Sequence, residues 1–304
     1  MDLVFQGRVI RAQSRRFTVL GEGGPITAIV PKRLRFENPE WVDPVAVGDE
    51  VEAAVQHGEG LIQRVLPRRN LLARRAIGST KRQMLAANID RAVIVLAAAE
   101  PEWKAATLDR YLVLASASDI SPLVWINKSD LVSAVPDQEL LDWYSKIDIP
   151  VLCGSAASGE GQDALVERLA GQTAVFIGPS GAGKSSLLNR LVPSADVRVG
   201  DVSAASGKGT HTTTWAEMHD LPGGGRVIDG PGLRTLDLTD VEVRDLARHF
   251  PEMDALAGDC RFPDCAHMAE PDCAIKDAVT SGGVAPHRYE SYRRIYESLA
   301  RGTG

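Results

Sequence analysis

Four short stretches of this chain have side chains whose types and spacing could do chemistry. Gly178, Pro179, Ser180, Gly181, Ala182, Gly183, Lys184 and Ser185 satisfy GxxxxGK[ST]. An apolar run, 174–177, leads in as a buried strand would, and residues 185–191, Ser186 among them, lead out with helical spacing. Glycines here would let backbone N–H groups approach phosphates, and a helix N-terminus would add partial positive charge. Lys184 and Ser185 can serve phosphate oxygens and Mg²⁺. Alone, the stretch could be only a tight strand-to-helix turn; with these flanks it predicts nucleotide binding.

Asn127, Lys128, Ser129 and Asp130 form an NKxD sequence at the end of a predicted strand, 122–126. A carboxylate there can accept both hydrogens of the guanine N1 and N2 edge, which adenine lacks. The Lys128 stem can lie over the base, and Asn127 can brace the loop. NKxD alone also suits a surface turn, but beside a phosphate loop, at a strand end where such sheets bind ligands, it selects guanine. Ser155 and Ala156, after the next short strand, match the loop that offers a backbone N–H to guanine O6.

Residues 202–214 are small, polar and glycine-rich, with the composition of a mobile loop. A threonine there could complete Mg²⁺ coordination when the γ-phosphate is present; Thr213 is the expected one, with Thr212 and Thr214 open. Asp229, Gly230, Pro231 and Gly232 then read as DxPG. Asp229 would hold Mg²⁺ through water, and the Gly232 N–H would sense the γ-phosphate, beside Lys184. In well-known small GTPases a glutamine after that glycine orients the attacking water, whereas here Leu233 follows. Leucine cannot hydrogen-bond water, so turnover is expected to be slow, with the missing catalytic group supplied by His211 or by a partner.

The fourth stretch is Cys260, Cys265, His267 and Cys273, three of the four cysteines and one histidine within fourteen residues. Cys₃His is a complete tetrahedral set for Zn²⁺, and a closed set is structural rather than catalytic. A disulfide with a spare thiol is the alternative, disfavoured in a reducing compartment. Cys153 is expected to be a small buried residue.

Several elements must position these groups. Apolar runs 92–98, 122–126, 150–152 and 174–177 alternate with helical stretches 107–116, 138–147 and 163–170. Strands buried on both faces between amphipathic helices imply a mostly parallel α/β sheet. Trp125, Trp143 and Tyr144 read as core or half-buried residues. Residues 1–67 instead hold five short alternating segments, 3–10, 17–20, 26–31, 50–55 and 61–66, separated by turn signals. They predict a small barrel, best an OB-fold, a fold that commonly binds oligonucleotides.

The chain has 304 residues, 44% hydrophobic and 24% charged, with a formal net charge of −6. That describes a soluble multidomain protein rather than one basic all over. Nothing approaches a membrane span or a signal peptide, so a cytoplasmic protein with no membrane partner is expected; a monomer without a DNA partner is expected as well. The sum hides a patch: residues 60–89 hold no acid but seven cations, among them Arg68, Arg69, Arg74 and Arg75. With Arg8, Arg11, Arg15, Arg16, Lys32, Arg33 and Arg35 near the first strands, they are candidate RNA contacts. Solvated edge charges are the simpler alternative.

The guanine-selecting motif precedes the phosphate loop, the reverse of the usual order. The central domain is therefore circularly permuted, and its second switch feeds directly into the cysteine-rich segment. The expected plan is an OB-fold barrel over 1–68, a basic linker over 69–84, an α/β P-loop GTPase domain over 85–237, and a mostly helical zinc-binding domain over 238–304.

In that order, and in the spacing of Asn127–Asp130, Gly178–Ser185, residues 209–214, Asp229–Gly232 and the cysteine cluster, the chain resembles the bacterial RsgA (YjeQ) family of small-subunit-dependent GTPases. Residues 86–90 also match that family; Gly230, where many members have threonine, departs from it. The resemblance implies a late assembly factor that binds 16S rRNA in the 30S ribosomal subunit near its decoding region. The subunit would stimulate hydrolysis of GTP to GDP, which releases the factor. Two other classes share the nucleotide site: a GTP-gated RNA-binding scaffold with negligible turnover, and a GTPase acting on a protein partner.

Overall fold

The computed structural model describes residues 3–13, 15–56, 58–76, 78–133, 137–195, 215–230, 233, 237, 238 and 240–302. The alternating segments pair as β1 (Leu3–Gln13), β2 (Arg16–Gly21), β3 (Gly24–Ile29), β4 (Glu50–Gln56) and β5 (Glu59–Val65). β1 lies against β2 and β4, β2 against β3, β3 runs parallel to β5, and β5 returns to β4. The ring closes as a five-stranded barrel. Val9, Phe17, Val19, Ala28, Val51 and Ile62 fill it, on the inward-facing positions of each strand. A short helix, α1 (Lys32–Phe36), lies between β3 and β4.

Residues 69–84 correct the expected linker. β6 (Leu71–Arg75) pairs with β7 (Arg82–Ala87) as an antiparallel hairpin whose register slips between Leu72 and Ala73. That bulge puts two adjacent side chains, Leu72 and Ala73, into buried positions, which erases the alternation a strand would show in sequence. The barrel docks on this hairpin. At Gly48, φ is +97° and an added Cβ would stand 2.0 Å from the Ala87 carbonyl oxygen, so only glycine permits the approach.

The α/β region follows as β8 (Arg91–Ala97), α2 (Ala105–Ala117), β9 (Ser121–Asn127), α3 (Gln138–Lys146), β10 (Val151–Cys153), α4 (Gln162–Leu169), β11 (Thr173–Ile177), α5 (Lys184–Leu191), β12 (Trp215–Asp220) and β13 (Arg226–Asp229). β10, β9, β8, β11 and β13 are parallel in that order. Both faces are covered: Val93 and Val95 belong to one core cluster, Ile94 and Leu96 to the other. Trp125 is fully buried, as expected of a core residue. Cys153 differs from expectation, being exposed at the end of the three-residue edge strand β10.

β12 joins the two halves. It runs antiparallel to β13 on one side and to β1 on the other, so barrel and central sheet form one eleven-stranded sheet. Arg11 and Glu217, opposite each other in that seam, are ion-paired.

Beyond β13 come a 3₁₀ segment (Val243–His249), α6 (Pro251–Ala257), α7 (Ala274–Ser281) and α8 (Pro286–Ala300). Their apolar residues Phe250, Met253, Tyr292 and Ile295 share one cluster with Leu108 and Leu112 of α2. The C-terminal segment therefore packs on the central domain's own core. Arg288 of α8, 1% exposed, fixes the junction. Its guanidinium donates to Asp109 of α2 at 2.5 Å and to both Glu252 oxygens at 2.6 and 3.1 Å, while the Tyr144 hydroxyl donates to the same Asp109 at 2.7 Å. Among the described residues no helix is long and apolar enough to cross a membrane.

Candidate nucleotide and metal sites

β11 ends at Ile177, and the chain turns at Gly178 with φ +140°, where a Cβ would meet the Val95 carbonyl oxygen at 2.1 Å. Gly183, φ +91°, leaves the same kind of space for the Asn127 amide, 2.2 Å from where its Cβ would be. These two glycines bring the turn down onto the strand ends and start α5 at Lys184. Lys184 Nζ folds back across the turn and donates to the carbonyls of Gly178 and Pro179, each at 2.7 Å. That ammonium sits inside the ring of backbone where phosphates would lie.

Asn127, at the end of β9 and 2% exposed, joins three loops. Its Nδ2 donates to the Ala182 carbonyl at 2.9 Å, and its Oδ1 accepts the Ala156 N–H at 2.9 Å. The NKxD strand end, the Gly178–Ser185 turn and the Ser155-Ala156 loop are thereby held by one side chain. Ser155 is buried and its hydroxyl accepts the N–H groups of Ala157 and Ser158 at 3.0 and 3.1 Å. Lys128 adopts the left-handed region at φ 63°, and its ammonium donates to the Glu100 carbonyl. The Ser129 hydroxyl donates to Glu160 at 3.0 Å, while Asp130 is exposed.

Asp229, at the end of β13, lines one small pocket with Lys184 and Ser185. Parallel pairing of β13 with β11 brings this about, because both strands then end on the same edge. Leu233 stands in the wall of that pocket, 3% exposed. Gly230 packs close on β12, where a Cβ would lie 3.0 Å from the Ala216 Cβ, so a side chain there would require the neighbouring strand to give by a few tenths of an ångström. His211, Thr213, Gly232 and their neighbours 201–214, 231 and 232 lie outside the described residues.

Cys260, Cys265, His267 and Cys273 converge, all four ligand atoms lying within 4.8 Å of one another. The Cys260 and Cys273 sulfurs are 3.9 Å apart and each is 3.5 Å from His267 Nδ1. Four ligands about 2.3 Å from one Zn²⁺ in a tetrahedron place their sulfurs roughly 3.8 Å apart, so the set fits. Burial and the adjoining Cys273 and Cys260 sulfurs push the Cys265 thiol up to about 12, and burial holds the His267 imidazole below its ordinary value, hence neutral. The loop is braced from behind: the hydroxyls of Tyr289 and Tyr292 donate to the carbonyls of His267 and Ala266 at 2.7 and 2.8 Å. Glu270 accepts the N–H groups of Ala266 and Met268. This cluster could hold one metal ion such as zinc.

The candidate RNA cations are distributed unevenly. Arg8, Arg11, Arg16, Arg33, Arg35 and Arg69 pair with Glu50, Glu217, Glu59, Glu37, Asp43 and Asp90. Arg74 bonds Gln83, and Arg15, Lys32 and Arg75 are exposed. Partly exposed pairs contribute little and can exchange a carboxylate for a phosphate. Arg68 differs. It grips the fully buried Asp49 with two bonds at 2.6 and 2.8 Å and the Pro44 carbonyl with a third at 2.8 Å, which commits it to the barrel's own structure. Arg288 and Asp109 gave no signal in sequence: a charge on a helix looks solvated until its partner, 179 residues away, is in place.

The RsgA GTPase family model matches residues 65–239. A relative from Gemmatimonas aurantiaca named small ribosomal subunit biogenesis GTPase RsgA is 42% identical over 282 residues, spanning 91% of this chain and 92% of its own. The crystal structure of YjeQ from Thermotoga maritima superposes with a TM-score of 0.79 at 32% identity, covering 98% of this chain and 99% of that one. YloQ, described as a circularly permuted GTPase, superposes with a TM-score of 0.75 at 28% identity over 99% and 97%.

Proposed function

The chain belongs to the RsgA GTPase family, and on that premise we propose that it hydrolyses GTP during maturation of the small ribosomal subunit in the cytoplasm. The observation that carries this reading is Asn127, whose one buried amide ties the guanine-selecting strand end to the phosphate turn. In this reading Asp130 accepts the guanine edge and Lys128 covers the base. The backbone of residues 178–186 and Lys184 hold the phosphates. Ser185, Thr213 and, through water, Asp229 would hold Mg²⁺, which supplies charge neutralisation on the β- and γ-oxygens. The Gly232 N–H senses the γ-phosphate.

Water attacks the γ-phosphorus, GDP departs with the β–γ bridging oxygen, and the products are GDP and phosphate. Leu233, buried against the core, offers that water no hydrogen bond, so the orienting group comes from His211 or from the subunit. The cysteine–histidine cluster holds one structural Zn²⁺. Barrel and C-terminal module together clamp 16S rRNA of the 30S subunit while GTP is bound, and release it after hydrolysis. Co-sedimentation with purified small subunits tests the switch. Stronger binding with a non-hydrolysable GTP analogue than with GDP supports it, and equal binding contradicts it.

A further inference from the structure

Phe36, the last residue of α1, is 80% exposed, the largest value among the exposed large apolar side chains of the described chain. Its helix explains the orientation. Leu34, two residues earlier, packs against the barrel core, and positions two apart on a helix point to nearly opposite sides. An aromatic ring is thus held out into solvent on a short helix anchored from below.

Its surroundings are basic. Lys32 and Arg33 are exposed on the same helix, and Arg35 pairs with Asp43. Arg15 acts on that same Asp43, which puts the β1–β2 turn beside α1. Arg16, 69% exposed, is in register with Ile29 at the end of β3, just before the helix. Four acids face these five cations: Glu37 is paired to Arg33, Asp43 to Arg35 and Glu59 to Arg16, and Glu40 is exposed. Among the described residues Arg15 and Lys32 have no acidic partner within ion-pair distance. An exposed aromatic ring on a helix with cations beside it, two of them without an acidic partner, is an arrangement that can take single-stranded nucleic acid, the bases stacking while the cations follow the phosphates.

We propose that Phe36 is a base-stacking platform for an unpaired nucleotide of RNA, with Arg15, Arg16, Lys32 and Arg33 lining the backbone path. This deepens the proposed function and rests on its RNA-binding reading. The full chain is titrated against a fluorescently labelled ten-nucleotide single-stranded RNA and against purified small subunits. Phe36→Ala is expected to weaken both about five- to a hundred-fold, the range of one lost base stack, without changing the salt slope. Phe36→Trp should bind like the unaltered chain. Lys32→Ala should flatten the salt slope by about 0.7, the value for one phosphate on a single strand. Because Phe36 packs so little, its truncation should leave the thermal midpoint unchanged.

Unaltered RNA binding by Phe36→Ala overturns the proposal, as does a tryptophan variant as weak as the alanine one. So does loss of subunit binding with oligonucleotide binding intact, which would mark a protein contact instead. Stimulation of the unaltered chain's GTP hydrolysis by small subunits is measured in parallel. Its absence would count against the wider function, whereas its presence beside an unaffected Phe36→Ala would retire the platform alone.

Discussion

Gln13, the last residue of the barrel strand β1, is paired in register with Trp215, the first residue of β12. β12 connects the glycine-threonine segment 202–214 to β13, whose end delivers Asp229. The barrel is therefore bonded to the strand lying between the two stretches expected to sense the γ-phosphate. Permutation alone would send the switch only toward the C-terminal segment; this seam would give it a second route, into the barrel.

Ala12, the penultimate residue of β1, has Ala216 on one side and Phe17 on the other, so its N–H faces a paired strand whichever way it points. Ala12→Pro removes that N–H, at a cost of roughly 1–3 kcal/mol. Small-subunit binding by this variant should lose most of its preference for a GTP analogue over GDP, while nucleotide affinity persists. Parallel co-sedimentation and nucleotide titrations check this.

Asn127→Ala removes two buried hydrogen bonds and leaves the Ala182 carbonyl and the Ala156 N–H without that partner. Each orphaned group costs about 1–3 kcal/mol. GTP affinity should fall at least about ten-fold in a fluorescent-nucleotide titration; an unchanged affinity would mean that the three loops hold their places without Asn127.

Arg288→Ala leaves Asp109 and Glu252 buried together without their cation. Breaking such a pair typically costs about 3–5 kcal/mol. The thermal midpoint should drop by several degrees, and α8 should become accessible to protease. Arg288→Lys should recover only part of the loss, because one ammonium cannot match a guanidinium that bonds two carboxylates.

Metal analysis of the purified chain should give one zinc per molecule. Cys265→Ser or prolonged chelation should remove it and lower the stability of the C-terminal module, because Phe250 and Tyr292 pack directly behind the loop. Zinc-free protein with an unchanged melting curve would contradict a structural role.

What could be read from sequence, and what could not, divides along a physical line. Gly178, Gly183 and Asn127 were legible because their requirements are local: two positive-φ glycines and a strand-end amide recur wherever a turn must approach phosphates. The barrel strands were legible from period-two alternation, except that β1 runs on through Gln13, since its last three residues are held by β12, a partner no local pattern announces. The β6–β7 hairpin was hidden by its bulge. Arg68 looked like its basic neighbours, and only its distance to the buried Asp49 separates it from them.

Hydrolysis of GTP and ATP, each with and without purified small ribosomal subunits, tests the central claim most directly. The account predicts slow GTP turnover by the chain alone, consistent with Leu233 buried where a water-orienting residue would stand, a large acceleration by small subunits, and negligible ATP turnover in either case. GTP hydrolysis that small subunits leave unchanged, or ATP hydrolysed as readily as GTP, would contradict it.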